Sequence, residues 1–173
     1  NQSDIVYVPS LARDILEQIS FEARESEYID NKSGVSARMS ITAFENLIST
    51  AERRALKYGT DKTILRLSDF MGIIPAITGK VELVYEGEQE GAAVVAQYLI
   101  GSAIRTLFSE YFPKIEKLEK QKEKTPYSDL IEWFFTESGF ELLDDASDAE
   151  YKGILDEISP LDILLKKYQP QLD

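Results

Sequence analysis

Apolar residues early in the chain recur at helical spacing. Leu11, Ala12, Ile15, Leu16, Ile19 and Ala23 lie one, three and four residues apart, with Arg13, Glu17 and Glu22 between them. At 3.6 residues per turn the first set forms one stripe and the charges fall on the other face, which predicts an amphipathic helix ending near Ser26. A second stripe, Ile41, Phe44, Leu47, Ile48, Ala51 and Ala55, predicts a second helix. Ser40 fits its N-cap, and Thr42 with Glu45 fits a capping box, in which two side chains each satisfy the other's backbone N–H. Residues 30–34 read as a loop, and Gly59 as the second helix's C-cap.

Beyond Gly59 the pattern shortens. Ser68-Asp69 opens a third helical segment, and Pro75 inside it lacks an N–H and crowds the preceding turn, so the segment kinks or ends near Ile74. Val81, Leu83 and Tyr85 alternate with Glu82, Val84 and Glu86, which is strand period; the β-branched run over 5–8 is the available partner. Gly87 to Gly91 reads as a helix-entry turn. A fourth helix follows from Glu88 to about Tyr111, apolar nearly all round in its middle and therefore expected to be buried on most faces. Residues 115–124, rich in both charges, read as a solvated helix extension or a linker. Thr125-Pro126, Ser147 with Glu150, and Ser159-Pro160 mark three more helix starts. Seven helical segments and little strand give a mainly α fold with at most a short two-stranded β element. The charged stretch divides it into a helical domain, 1–112, and a connector with an acidic helical tail, 113–173.

Composition then narrows the chemistry. The 173 residues include 31 acidic and 19 basic side chains, a formal charge of −12. Such a chain repels polyanions, so neither nucleic acid nor an anionic membrane is an expected partner. With no Cys and no His, thiol and imidazole catalysis and the commonest transition-metal ligands are excluded. The most apolar stretch, 92–104, is shorter than the roughly 20 residues of a membrane span, and the polar start Asn-Gln-Ser-Asp is no signal peptide. A cytoplasmic protein is expected. Asn rather than Met at position 1 suggests a fragment or processed product.

Few side chains invite a functional reading. Gly79-Lys80 fails as a phosphate loop: Ile74 stands where the first Gly belongs, and Val81 where Ser or Thr belongs. Asp144, Asp145, Asp148 and Glu150 lack the alternation and central Gly of a calcium loop, and suit the positive end of a helix instead. Trp133, Phe134 and Phe135 are either an anchor patch or, the simpler account, core packing. Arg38 is different. It sits between a glycine-containing loop and a helix N-terminus, where positive charge costs about 0.3–1 kcal/mol when exposed. That placement becomes useful if an anion binds, since first-turn N–H groups and a guanidinium converge on it. Pairing with one of the many carboxylates is an equal account on physics alone.

The block around this arginine, Ser33-Gly34-Val35-Ser36-Ala37-Arg38-Met39-Ser40-Ile41, resembles the sensor-2 segment in the helical lid of AAA+ ATPases, in particular the magnesium-chelatase ATPase-subunit-like branch close to the MoxR group. Thr78-Gly79-Lys80-Val81-Glu82-Leu83-Val84-Tyr85-Glu86-Gly87-Glu88-Gln89-Glu90-Gly91 resembles a stretch downstream of that lid, and residues 127–139 and 144–155 resemble the C-terminal tail of these proteins. The resemblance implies an AAA+ lid-like helical bundle with a C-terminal helical extension. It also implies a parent ATPase whose Walker motifs, and whose ATP and Mg2+, belong to an upstream AAA+ core of the same polypeptide. No cofactor is then bound by this chain alone, and no catalytic or metal-ligating residue is expected in it. Arg38 takes the sensor-2 role towards the γ-phosphate, the parent forms a homo-oligomeric ring, and the coupled work is remodelling of a protein partner. A helical protein–protein interaction adaptor with no nucleotide role is the alternative.

Overall fold

A computed structural model describes residues 4–30, 32, 35, 37–114, 125–137 and 139–169. Most of the loop over 31–36 and the charged connector over 115–124 lie outside the described residues. The fold is mainly helical, with eight α-helices and one small two-stranded parallel sheet among the described residues. Two compact units divide after Leu107, within a helix.

The first unit contains β1 (Val6–Tyr7), α1 (Ser10–Glu25), α2 (Ala37–Tyr58), β2 (Thr63–Ile64), a 3-10 turn (Leu67–Ile73), α3 (Ile74–Thr78), α4 (Tyr85–Glu90) and most of α5 (Ala92–Tyr111). α1 buries Ala12, Ile15, Leu16, Ile19 and Ala23, as its stripe predicts. α2 starts at Ala37, ahead of both expected caps. Ser40, one turn inside, does not cap; its hydroxyl shares a 2.9 Å hydrogen bond with that of Ser20 on α1. Met39 and Ala43 join the buried stripe while Ile41 is 61% exposed. At the other end Gly59 takes φ +63. The Thr60 N–H then reaches Ala55 O at 3.0 Å and the Gly59 N–H reaches Leu56 O at 3.3 Å, the pair of bonds that closes a helix through a left-handed residue. Pro75 falls at the start of α3, so the third segment is a 3-10 turn followed by a short α-helix rather than one helix.

The strand expected over 81–86 does not form. Residues 5–8 are already engaged: β1 pairs in parallel with β2, Val6 opposite Thr63 and Tyr7 opposite Ile64. The 81–86 segment makes only a bridge, Leu83 opposite Ile29, and turns into α4 with Glu86 and Glu88 in its favourable first turn. Gly87 to Gly91 is thus a helix and its end, not an entry turn. Gly91, at φ +95, separates α4 from α5, so that one expected helix becomes two and eight stand among the described residues where seven segments were expected. Gly87 permits close approach: a Cβ there would sit 2.4 Å from Tyr28 O.

The core gathers Ile19, Met39, Leu47, Phe70, Ile73, Ile77, Val95 and Ile100, each almost wholly buried. α5 is long and apolar enough to cross a membrane by length and composition, and its Val95, Ala96, Leu99, Ile100, Ala103 and Leu107 lie in this core. Burial is confined to that stripe; Tyr98 and Gln97 are exposed, so α5 is not buried on most faces.

The second unit holds the end of α5, α6 (Ser128–Thr136), α7 (Asp148–Asp156) and α8 (Ser159–Tyr168). Aromatic contacts organise it. Phe108 stacks on Phe112 at 4.7 Å, Tyr127 lies 6.1 Å from Phe108, and Tyr168 meets Phe112 edge-on at 6.5 Å. The Tyr127 hydroxyl donates to Pro113 O at 2.7 Å, and Gln169 Nε2 donates to Tyr111 O at 2.7 Å. α7 opens with the expected capping box: the Glu150 N–H donates to Ser147 Oγ at 3.2 Å, and Glu150 Oε2 accepts the Ser147 N–H at 2.9 Å.

Candidate functional site

Arg38 lies in the first turn of α2 and is exposed. Its neighbours fix the turn that carries it. Met39, 1% exposed, roots the backbone in the core, and Ser40 ties it to α1. Ile41 and Glu45, three and seven residues on, share its outward face. A helix leaves its first N–H groups without intrahelical acceptors and ends there in partial positive charge. An exposed guanidinium at this place is chemically suited to a phosphate oxygen. Ser33, Gly34 and Ser36 of the sensor-2-like block lie outside the described residues.

Beside this turn, α1 and α2 enclose a groove of about 390 Å³ lined by Arg13, Leu16, Glu17, Ser20, Phe21, Arg24, Ser40 and Phe44. Arg38 is not among its lining residues. The guanidinium of Arg13 lies 5.3 Å from the Phe44 ring centre and that of Arg24 5.7 Å from Phe21. The two arginines are eleven residues apart, three helical turns, with Glu17 between them, so both fall on one face of α1. The groove is therefore aromatic and mixed in charge, with a modest basic excess.

The other sequence candidates separate clearly. Gly79-Lys80 closes α3: the Gly79 and Lys80 N–H groups donate to Pro75 O and Ile77 O at 3.1 and 3.0 Å, so neither is turned outward to cradle a phosphate. Glu150 is committed to the Ser147 cap, and among the described residues no group of three Asp or Glu is placed to hold a metal ion. The core-packing account of the tryptophan cluster is overturned. No residue of α6 is buried, Trp133 is half-buried, and Phe134 and Phe135 are 48% and 86% exposed. One side of a nine-residue helix suffices to pack on α8, and the rings of Phe134 and Phe135 are left largely to solvent.

The residue that sequence reasoning missed is Arg54. It is 6% exposed and forms a salt bridge with Asp69, itself 2% exposed. Arg54 Nη2 also donates to Ile64 O at 2.7 Å and Thr63 Oγ1 at 3.3 Å, while Asp69 Oδ2 accepts the Arg66 N–H at 2.8 Å. This cluster joins the C-terminal half of α2 to β2 and the 3-10 turn. Its signal was present: Arg54 lies seven residues after Leu47 and three after Ala51, on the apolar stripe, where a charge must find a partner.

A second polar tie joins α1 to α5. Glu22 accepts hydrogen bonds from Gln18 Nε2 at 2.9 Å, Ser102 Oγ at 2.8 Å and Thr106 Oγ1 at 3.0 Å. Partial burial by itself would raise the carboxyl's pKa; the three donors outweigh it and hold it below the ordinary value of 4.5. No protein-family model, curated protein or solved structure matches the chain.

Proposed function

We propose that this chain is the C-terminal helical lid and tail of a chelatase-like AAA+ ATPase, with Arg38 as the sensor-2 arginine that meets the γ-phosphate. The observation that carries the reading is an exposed arginine in the first turn of a long helix, inside a sensor-2-like block. α2 is suited to transmit what Arg38 senses. Its 22 residues span about 33 Å at 1.5 Å per residue, with Met39 and Ser40 anchoring one end and the Arg54–Asp69 pair the other. Attraction of Arg38 to phosphate then tilts α2 together with α1, β2 and the 3-10 turn. ATP and Mg2+ belong to the upstream core of the same polypeptide. The parent is a cytoplasmic, ring-forming homo-oligomer that remodels a protein, and this chain alone turns over no ATP.

The test is steady-state ATP turnover of the parent carrying Arg38→Ala. A fall of at least about tenfold is expected, with unchanged far-ultraviolet circular dichroism and partial recovery in Arg38→Lys. Unchanged turnover removes the nucleotide role and leaves the second reading, a helical interaction adaptor, which the exposed Phe134 and Phe135 favour.

A further inference from the structure

We propose that the aromatic face of α6 is the docking surface for a basic, amphipathic helical segment of a partner protein. Ile131, Phe134 and Phe135 stand three and four residues apart, so they share one face, and all three are exposed, Phe135 by 86%. The remaining apolar side of α6 is used: Leu130 lines a groove with Ile163 and Leu164 of α8. Phe134 is also held in place by its neighbours. Trp133, Phe134 and Phe140 meet edge-to-face with ring centres 5.1–5.4 Å apart, so that ring has little freedom left to lose when a partner covers it.

Charge identifies the occupant. From residue 125 to 151 the chain carries eight carboxylates and no Lys or Arg; Asp129, Glu132 and Glu137 share or adjoin α6, and Glu141, Asp144 and Asp145 follow Phe140. An apolar surface so flanked repels a second copy of itself, an anionic membrane and nucleic acid. It is complementary to a helix with aliphatic residues on one side and Lys or Arg on the other, laid in a groove-binding mode. This inference is independent of Arg38: either can fail alone.

Trp133 is the chain's single Trp and belongs to the patch, so its emission reports occupancy directly. The probe is a Trp-free synthetic peptide of about 18 residues, Leu and Lys at helical spacing, with a twin in which Glu replaces Lys. The Lys peptide is expected to shift Trp133 emission saturably and to weaken at least about tenfold with Phe135→Ser or with Asp144→Asn/Asp145→Asn. Raising salt from about 50 to about 300 mM should weaken it as well. Circular dichroism controls for folding. Glu86→Gln/Glu88→Gln on α4, an acidic pair that belongs to the other unit, should leave binding unchanged. Equal binding of the Glu twin, equal loss in the α4 variant, or indifference to Phe135→Ser overturns the proposal. So does a Trp133 shift produced by zwitterionic vesicles, or by concentration-dependent self-association without peptide.

Discussion

The first unit and the second solve the same packing problem to different extents. In the first, α1, α2 and α5 each commit a full stripe to a shared core, and the buried Arg54 and Asp69 are paired with each other. In the second, α6 and α7 bury no residue completely, and order rests on rings around Tyr127 and Tyr168 and on a few caps. Helices of nine residues are not stable alone in water and take their stability from what covers them. The contrast teaches where each unit is vulnerable: the first to loss of a buried partner, the second to loss of single polar or aromatic ties, its outer rings being dispensable for folding.

The largest effect expected is at the buried ion pair. Asp69→Ala leaves Arg54 charged in the core and should cost about 3–5 kcal/mol, seen as a lower urea midpoint. The double change Arg54→Met/Asp69→Leu should recover much of that loss, because Arg54 is no longer left charged without its carboxylate. Gly87→Ala comes next: a Cβ 2.4 Å from Tyr28 O forces α4 away from the α1–α2 connection, for about 1–3 kcal/mol by thermal melting. In the second unit, Tyr127→Phe removes the bond to Pro113 O and should cost about 1 kcal/mol.

Glu22→Gln should also cost about 1 kcal/mol at neutral pH. Because the folded state holds this carboxyl below its ordinary pKa, its contribution is complete above the unfolded value and fades as pH falls through the folded one. The gap between wild type and Glu22→Gln should therefore close in acid and persist at neutrality. The smallest effect belongs to Phe135→Ser, within about 0.5 kcal/mol of wild type. A large loss there would erase the contrast between the units by making that ring structural.

What the sequence disclosed was local. The Ser147–Glu150 box, the left-handed stop at Gly59 and the break at Pro75 depend on residues within one or two turns of each other. Long-range choices were hidden. Two-residue strands carry no periodicity, so nothing in residues 5–8 announced a partner beyond α2 rather than at 81–86. Arg54 needed Asp69, fifteen residues on, to explain its place on an apolar stripe. Polar signals at Ser40 and Thr42 outweighed Met39, which is buried and requires an earlier start to α2. The rings of α6 looked like core because aromatic content does not say which side of a short helix will find cover. Arg38 was legible as a candidate because loop, helix start and charge coincide there.

The parallel pairing of β1 with β2 has a mechanical corollary. Ile5 O accepts the Thr63 N–H at 2.9 Å and Tyr7 O accepts the Leu65 N–H at 3.1 Å, and Ile64 between them offers its carbonyl to Arg54. Tension applied ahead of Ile5 would thus be shared with the far end of α2 directly, short-circuiting the sixteen residues of α1.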